Sequence, residues 1–195
     1  MLQRTKKTKP MRKVMFAMNI SIDGCYDHTK FGPPDVEVMD YFVRLMQDTG
    51  VIVYGRRTYE LMVPYWPDIA ENRDGSPDEL AFADVMTPVP KIVLSRTLKN
   101  APENTRIVSE NPEGMIHELK QQPGKKIAFS SASLLPHMLG MGLIDELYLV
   151  VHPILLGQNK RLFDNFLLPG KRNFQLEHTQ QFKSGVIALH YQKNE

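Results

Sequence analysis

Val51-Ile52-Val53-Tyr54-Gly55-Arg56-Arg57-Thr58-Tyr59-Glu60 is the stretch that decides the fold class. Apolar, β-favouring residues run without polar alternation into a glycine, and two cations and a hydroxyl then open a helical start. A strand with no polar face must be covered on both sides, and a strand feeding straight into a helix is half of a β-α-β unit. Upstream, Val36, Met39, Val43 and Met46 recur at helical spacing, with Asp35 as N-cap and Gly50 as the stop. Another apolar run, Val14–Ile20, precedes that helix, which is therefore predicted to cross over between two strands. Downstream, Lys91–Ser95, Arg106–Ser109, Lys125–Phe129 and Glu146–His152 are further short β-rich runs. Asn111-Pro112 opens a helix through Leu119, and Ser133 to Met141 forms another that ends at Gly142. Ala70–Met86 has little periodicity and is expected to be a surface excursion carrying one short helix. Finally, Asn173–Phe182 and Val186–Gln192 flank Lys183-Ser184-Gly185, the pattern of an antiparallel hairpin. The expected architecture is α/β, with a mixed, mostly parallel sheet of about eight strands.

The 195 residues carry 24 Lys+Arg, 22 Asp+Glu and one Cys. Cys25 has no internal disulfide partner, and no apolar run approaches the roughly 20 residues that span a bilayer. A cytoplasmic protein that does not enter membranes is expected. The charge is unevenly spread: Arg4, Lys6, Lys7, Lys9, Arg12 and Lys13 fall in the first 13 residues with no acid, leaving a net −4 on the rest. Residues 1–11 are expected to be a disordered basic tail and residues 12–195 a single domain. An acidic body argues against a nucleic-acid-binding face. The six His show no HExxH spacing and no neighbouring Cys pair, so no metal site is predicted, and no GxSxG surrounds a Ser.

Three strand-to-helix junctions carry the chemistry. Gly55-Arg56-Arg57-Thr58 offers a helix N-terminus whose unpaired N–H groups suit a phosphate. Ser95-Arg96-Thr97 ends the strand from Lys91, and Ser130-Ser131-Ala132-Ser133-Leu134 leads the strand from Lys125 into a helix through small residues. Together they suit a dinucleotide bound along the carboxyl ends of strands, although no GxGxxG fingerprint is present.

At these residues the sequence resembles the dihydrofolate-reductase-like family, in the branch similar to the C-terminal reductase domain of the bifunctional riboflavin-biosynthesis deaminase-reductase. The resemblance rests on Ser21-Ile22-Asp23-Gly24, Gly55-Arg56-Arg57-Thr58-Tyr59-Glu60, Leu94-Ser95-Arg96, the segment from Ala132-Ser133-Leu134 to Gly142-Leu143-Ile144-Asp145-Glu146-Leu147, His152-Pro153-Ile154-Leu155-Leu156-Gly157 and Lys160-Arg161-Leu162-Phe163. It implies a three-layer α/β/α fold, a homodimer and a reductase that transfers a hydride from NADPH to a small heterocyclic or sugar-linked C=N or C=O substrate. Gly55, Arg56 and Thr58 match the pyrophosphate and 2′-phosphate contacts, and Leu94, Ser95 and Arg96 the adenosine side. Ile22, Gly24, Ser130, Ser131, Ala132, Ser133 and Leu134 complete the implied cofactor site. Asp23 is the candidate catalytic residue, with a local turn cap as its competing role. Asn19, Tyr26, Asp27, His28 and Trp66 are candidates for the substrate pocket.

Two features set limits on what the resemblance implies. No HxE…PCxxC zinc pattern is present, so a stand-alone reductase is expected rather than the paired deaminase. Where the family commonly has Gly-Gly, this chain has Ser130-Ser131, whose Cβ atoms restrict approach of a pyrophosphate unless their hydroxyls replace the lost contacts. A non-catalytic nucleotide-binding or regulatory protein with a degenerate cofactor site is therefore the alternative. Cys25 is expected to be a packed, unreactive thiol.

Overall fold

The computed structural model describes residues 11–33, 35–157, 160–164 and 167–194. The basic tail expected over residues 1–11 lies outside them apart from Met11. Arg12 and Lys13, counted among its charges, belong to the fold: Arg12 Nε donates to the Lys125 carbonyl at 2.5 Å and Lys13 pairs with Glu146 at 3.1 Å.

Eight strands form one sheet: β1 (Val14–Ser21), β2 (Thr49–Gly55), β3 (Lys91–Leu94), β4 (Thr105–Val108), β5 (Lys126–Ser130), β6 (Glu146–His152), β7 (Phe174–Gln181) and β8 (Ile187–Lys193). Their spatial order is β4-β3-β2-β5-β1-β6-β8-β7. All pairings from β4 to β6 are parallel, and β8 runs antiparallel to both β6 and β7. Side-chain alternation sends the two sheet faces into two cores. Val14, Phe16, Val53, Ile127 and Phe129 pack with α4 (Pro112–Gln121) and α5 (Leu135–Gly140), and Met15, Ile52, Tyr54, Ala128, Tyr148 and Val150 pack with α1 (Val36–Gln47), α2 (Arg56–Asn72) and α3 (Pro77–Met86). Helices on both faces of a mostly parallel sheet make the three-layer α/β/α fold.

The helix starts follow local chemistry. Asp35 accepts from Val38 N at 2.9 Å, and Asn111 accepts from Gly114 N at 3.1 Å. The second cap requires a glycine, because a Cβ on Gly114 would stand 2.8 Å from Asn111 Cγ. At the far end of α3, the buried Lys91 ammonium donates to the carbonyls of Thr87 at 2.8 Å, Val89 at 2.9 Å and Met86 at 3.4 Å. Burial pushes its pKa down to about 8, while three acceptors at the negative end of a helix favour the charge.

Four expectations need correction. Gly50 does not stop α1, whose last residue is Gln47; it lies inside β2, where a Cβ would meet Arg12 Nη2 at 2.9 Å and Lys125 Cβ at 3.2 Å. The buried stripe of α1 centres on Val38 and Tyr41, and Val36 is left 61% exposed. The region Ala70–Met86 is no mere surface excursion: α2 runs on to Asn72, and α3 places Phe82, Ala83 and Met86 in the core against α1 and α2. The helix expected from Ser133 begins two residues later, at Leu135, after a turn.

Candidate functional site

The sheet order β3-β2-β5 sets the three junctions side by side along one edge, about 10 Å across at ordinary strand spacing. From β2 the chain leaves toward β3, and from β5 it leaves toward β6, so the two connections diverge and open a crevice between them. Gly55 is the N-cap of α2 and makes no side-chain cap bond, which leaves the first N–H groups of this 17-residue helix turned to the crevice edge. Gly55 has φ −76°, so its need for glycine is not conformational. A Cβ there would stand 2.9 Å from the Cβ of Ser131, which is 2% exposed. The two junctions therefore touch.

The polar side chains divide their work. Arg56 is tied down: Nε donates to Glu60 at 2.6 Å and Nη1 donates to Thr97 Oγ1, linking the start of α2 to the loop after β3. Ser95 spends its hydroxyl on Thr97 N at 3.2 Å and Leu98 N at 3.0 Å, and Ser131 spends its own on Leu134 N and Ser133 Oγ, both at 3.4 Å. Thr58 and Ala132 are half-buried, Ser133 is exposed, and Leu94 is buried while Leu134 packs against the α4–α5 core. Arg57 and Arg96 are exposed and have no partner among the described residues.

After β1, Ile22 is 62% exposed, with its N–H on the Ile154 carbonyl at 3.0 Å, and Gly24 turns the chain at φ +79°. Asp23 fastens this turn to the loop after β6. Its carboxylate accepts from Ser21 Oγ at 2.5 Å, Leu156 N at 3.1 Å and Gly157 N at 2.8 Å, with Arg161 Nη2 at 3.7 Å. The Ser21 hydrogen bond and then those of Leu156 and Gly157 hold its pKa down to about 2. An ionised carboxylate with its lone pairs so taken has no proton to deliver at neutral pH, and the geometry is that of a cap. The group is depressed on folding, so its stabilising effect is full above its ordinary value of 3.8 and is lost as pH falls through about 2. Asp23→Asn is expected to match the wild type below pH about 2 and to exchange the Leu156 and Gly157 amide hydrogens faster at pH about 6, measured by hydrogen exchange. Equal protection at the higher pH would contradict it.

Beside this turn, His152 Nε2 and Asn19 Oδ1 lie 3.0 Å apart, on the sheet face that packs against α1. His152 opens the His152–Gly157 motif but is no pocket candidate by sequence, and the parallel register of β1 and β6 brings it to Asn19. Other pocket candidates do not join this pair. Tyr26 packs on the core of the opposite face, Asp27 caps the 3-10 turn His28–Lys30 through Thr29, and His28 is exposed. Trp66 stands ten residues into α2, about 15 Å along it, with its ring 4.7 Å from Phe82. Cys25 is fully buried and unpaired.

A family model described as the RibD C-terminal domain matches residues 12–188. The uncharacterized protein YyaP of Bacillus subtilis (strain 168) is 30% identical over 188 residues, covering 94% of this chain and 96% of that protein. Among solved structures, a putative riboflavin biosynthesis protein from Shewanella sp. PV-4 superposes with TM-score 0.72 at 20% identity, over 94% of this chain and 100% of that one. A pyrimidine reductase-like protein from Corynebacterium diphtheriae gives TM-score 0.63 at 17% identity, over 94% and 92% of the two chains. Acinetobacter baumannii RibD gives 0.64 at 16%, over 96% of this chain and 59% of that one. At these identities the structural likeness is one of fold.

Proposed function

Because the chain belongs to the RibD C-terminal domain family, we propose that it is an NADPH-dependent reductase acting on a small heterocyclic or sugar-linked C=N or C=O substrate. The observation that carries this reading is the alignment of three strand ends along one sheet edge, two of them leading into helices and that of β3 into a loop, beside a helix N-terminus without a side-chain cap and two arginines without partners among the described residues. Those residues fit the cofactor: the N-terminal amides of α2 would take the pyrophosphate, and Arg96 with Arg57 the 2′-phosphate. Arg56 acts differently, bracing Thr97 against the start of α2 so that the phosphate contacts are held in place. When bound, NADPH supplies the hydride; the chain orients the substrate and keeps its ring against the cofactor edge.

Arg96→Ala is expected to raise the Kd for NADPH by at least about tenfold, the effect of losing a charge-assisted contact, and to leave the Kd for NADH nearly unchanged. Energy transfer from Trp66 to the reduced nicotinamide provides the signal. Equal losses for both cofactors would remove the 2′-phosphate assignment. The second reading, a nucleotide-binding or regulatory protein without catalysis, draws on the Ser131 side chain that fills the notch beside Gly55. Absence of NADPH binding at millimolar concentration would favour it over the reductase.

A homodimer is part of the same proposal. Leu155 is 72% exposed in the loop after β6, an apolar exposure that a second subunit would cover, and the mass in solution tests it. No helix among the described residues is long and apolar enough to cross a membrane.

A further inference from the structure

Aspartate is followed by glycine twice in this chain, at Asp23-Gly24 and at Asp74-Gly75, and the fold treats the two pairs in opposite ways. At the first, the Gly24 N–H donates to the Ser21 carbonyl at 2.8 Å, the Gly24 carbonyl accepts from Leu162 N at 2.8 Å, and the Asp23 carboxylate is held by Ser21 Oγ, Leu156 N and Gly157 N. At the second, Asp74 is exposed and lies with Gly75 in the connection between α2 and α3, outside helix and strand. Neither the Asp74 carboxylate nor the Gly75 N–H has a hydrogen-bond partner among the described residues. The chain on either side is anchored. Arg73 N donates to the Ile69 carbonyl at 3.0 Å, and Ser76 donates to Glu79 Oε2 from its N at 2.9 Å and from its Oγ at 2.8 Å.

An aspartyl side chain closes a five-membered ring on the amide nitrogen of the next residue when that nitrogen comes against the carboxyl carbon. Glycine permits this best, because it has no Cβ to block the approach and leaves the backbone free to turn. A nitrogen whose N–H is held by a carbonyl, beside a carboxylate locked by three donors, has no such freedom.

We propose that Asp74-Gly75 is a modification site, at which Asp74 converts spontaneously to isoaspartate, and that the turn after β1 protects Asp23-Gly24 from the same reaction. The Gly75 nitrogen attacks Cγ of the Asp74 carboxyl; the N–Cγ bond forms, and the amide proton leaves with the carboxyl hydroxyl as water, giving a succinimide. Water then opens the ring. Cleavage of the new N–Cγ bond returns aspartate, whereas cleavage of the original peptide bond leaves the chain running through Cβ and Cγ, with the former main-chain carbonyl as a free carboxylate. One water is released and one consumed, so mass and charge are unchanged, and no oxidant or cofactor takes part. The main chain becomes one methylene longer just before Ser76, whose carbonyl accepts from Leu80 N at 2.9 Å. The first turn of α3 is therefore the element that the reaction loosens, together with its tie to α2, where the Tyr65 hydroxyl donates to Glu79 at 3.1 Å.

Ageing the purified full-length chain near neutral pH tests this. Isoaspartate is located by electron-transfer fragmentation of the peptides and counted by methyl transfer from S-adenosylmethionine through an isoaspartyl methyltransferase. In the folded protein it is expected to build up at least about tenfold faster at position 74 than at position 23, since misplacing an attacking atom by about 1 Å costs on the order of a hundredfold. In urea, where neither pair is held, the difference should vanish. Asp74→Glu should remove the signal at position 74, because closure would then need a six-membered ring. Gly75→Ala should slow it: the φ of Gly75 lies outside the left-handed range, and the added Cβ would meet only the flexible Ile69 Cγ2, at 3.1 Å. Aged protein should also exchange the Leu80 amide hydrogen faster than fresh protein. No isoaspartate at position 74, equal rates at the two sites in the folded chain, or a difference that survives in urea would overturn the proposal, and none of these comparisons depends on a variant that folds.

Discussion

Asp145→Ala is expected to destabilise the protein by about 3–5 kcal/mol, the cost of stranding a buried charge. Asp145 sits just before β6, at the end of the sheet opposite the candidate site. Its carboxylate takes the Lys120 ammonium at 2.6 and 2.7 Å, the Val14 amide at 2.8 Å and the Lys193 ammonium at 3.4 Å. Lys120, on α4, has a side chain only 9% exposed, so it has no water to fall back on when the carboxylate is removed. The Val14 amide, which opens β1, loses its acceptor at the same time. Lys120→Met should cost far less, because it removes the buried charge and keeps the stem, and Asp145 retains Val14 and Lys193. Urea unfolding of the two variants checks the contrast. A loss below about 1 kcal/mol for Asp145→Ala would mean that the pair behaves as a solvated one.

Gly55→Ala is expected to cost about 1–3 kcal/mol as an overpacking substitution and to weaken NADPH binding at least tenfold. The added methyl would meet Ser131 Cβ at 2.9 Å, and because the backbone fixes that atom the clash cannot be relieved by a rotamer alone. Either β2 or the turn after β5 must shift, and both line the proposed cofactor edge. Ser131→Gly in the same chain removes the obstructing side chain, and the double variant is expected to regain most of the stability lost by Gly55→Ala. The thermodynamic cycle over the four proteins measures this coupling directly. Additive losses would show that the junctions do not press on one another.

The strands were largely legible because each is short, apolar and bounded by turn residues, and the caps Asp35 and Asn111 announce themselves chemically. The span of α2 was not, because Pro64 and Pro67 lie inside it and look like stops. Each proline removes one helical N–H, yet Tyr59 and Val63 still pack into the core on this face of the sheet and Ile69 is buried, and tertiary packing outweighs the local signal. Gly50 misled in the opposite sense, since a glycine demanded by a neighbouring backbone looks the same in sequence as one that ends a helix.

The sequence by itself determined a β-α-β order, the closing hairpin and the residue types at three strand ends, because these depend on neighbours a few positions apart. Only the tertiary structure decided which strand ends lie together: the crossover from β1 to β2 leaves between them the slot that β5 fills, and β3 lies on the other side of β2. It likewise decided that Arg56 is braced, that Ser131 presses on Gly55, and that Asn19 meets a histidine 133 residues away. Such contacts depend on strand register and close packing, which no local pattern of residues encodes.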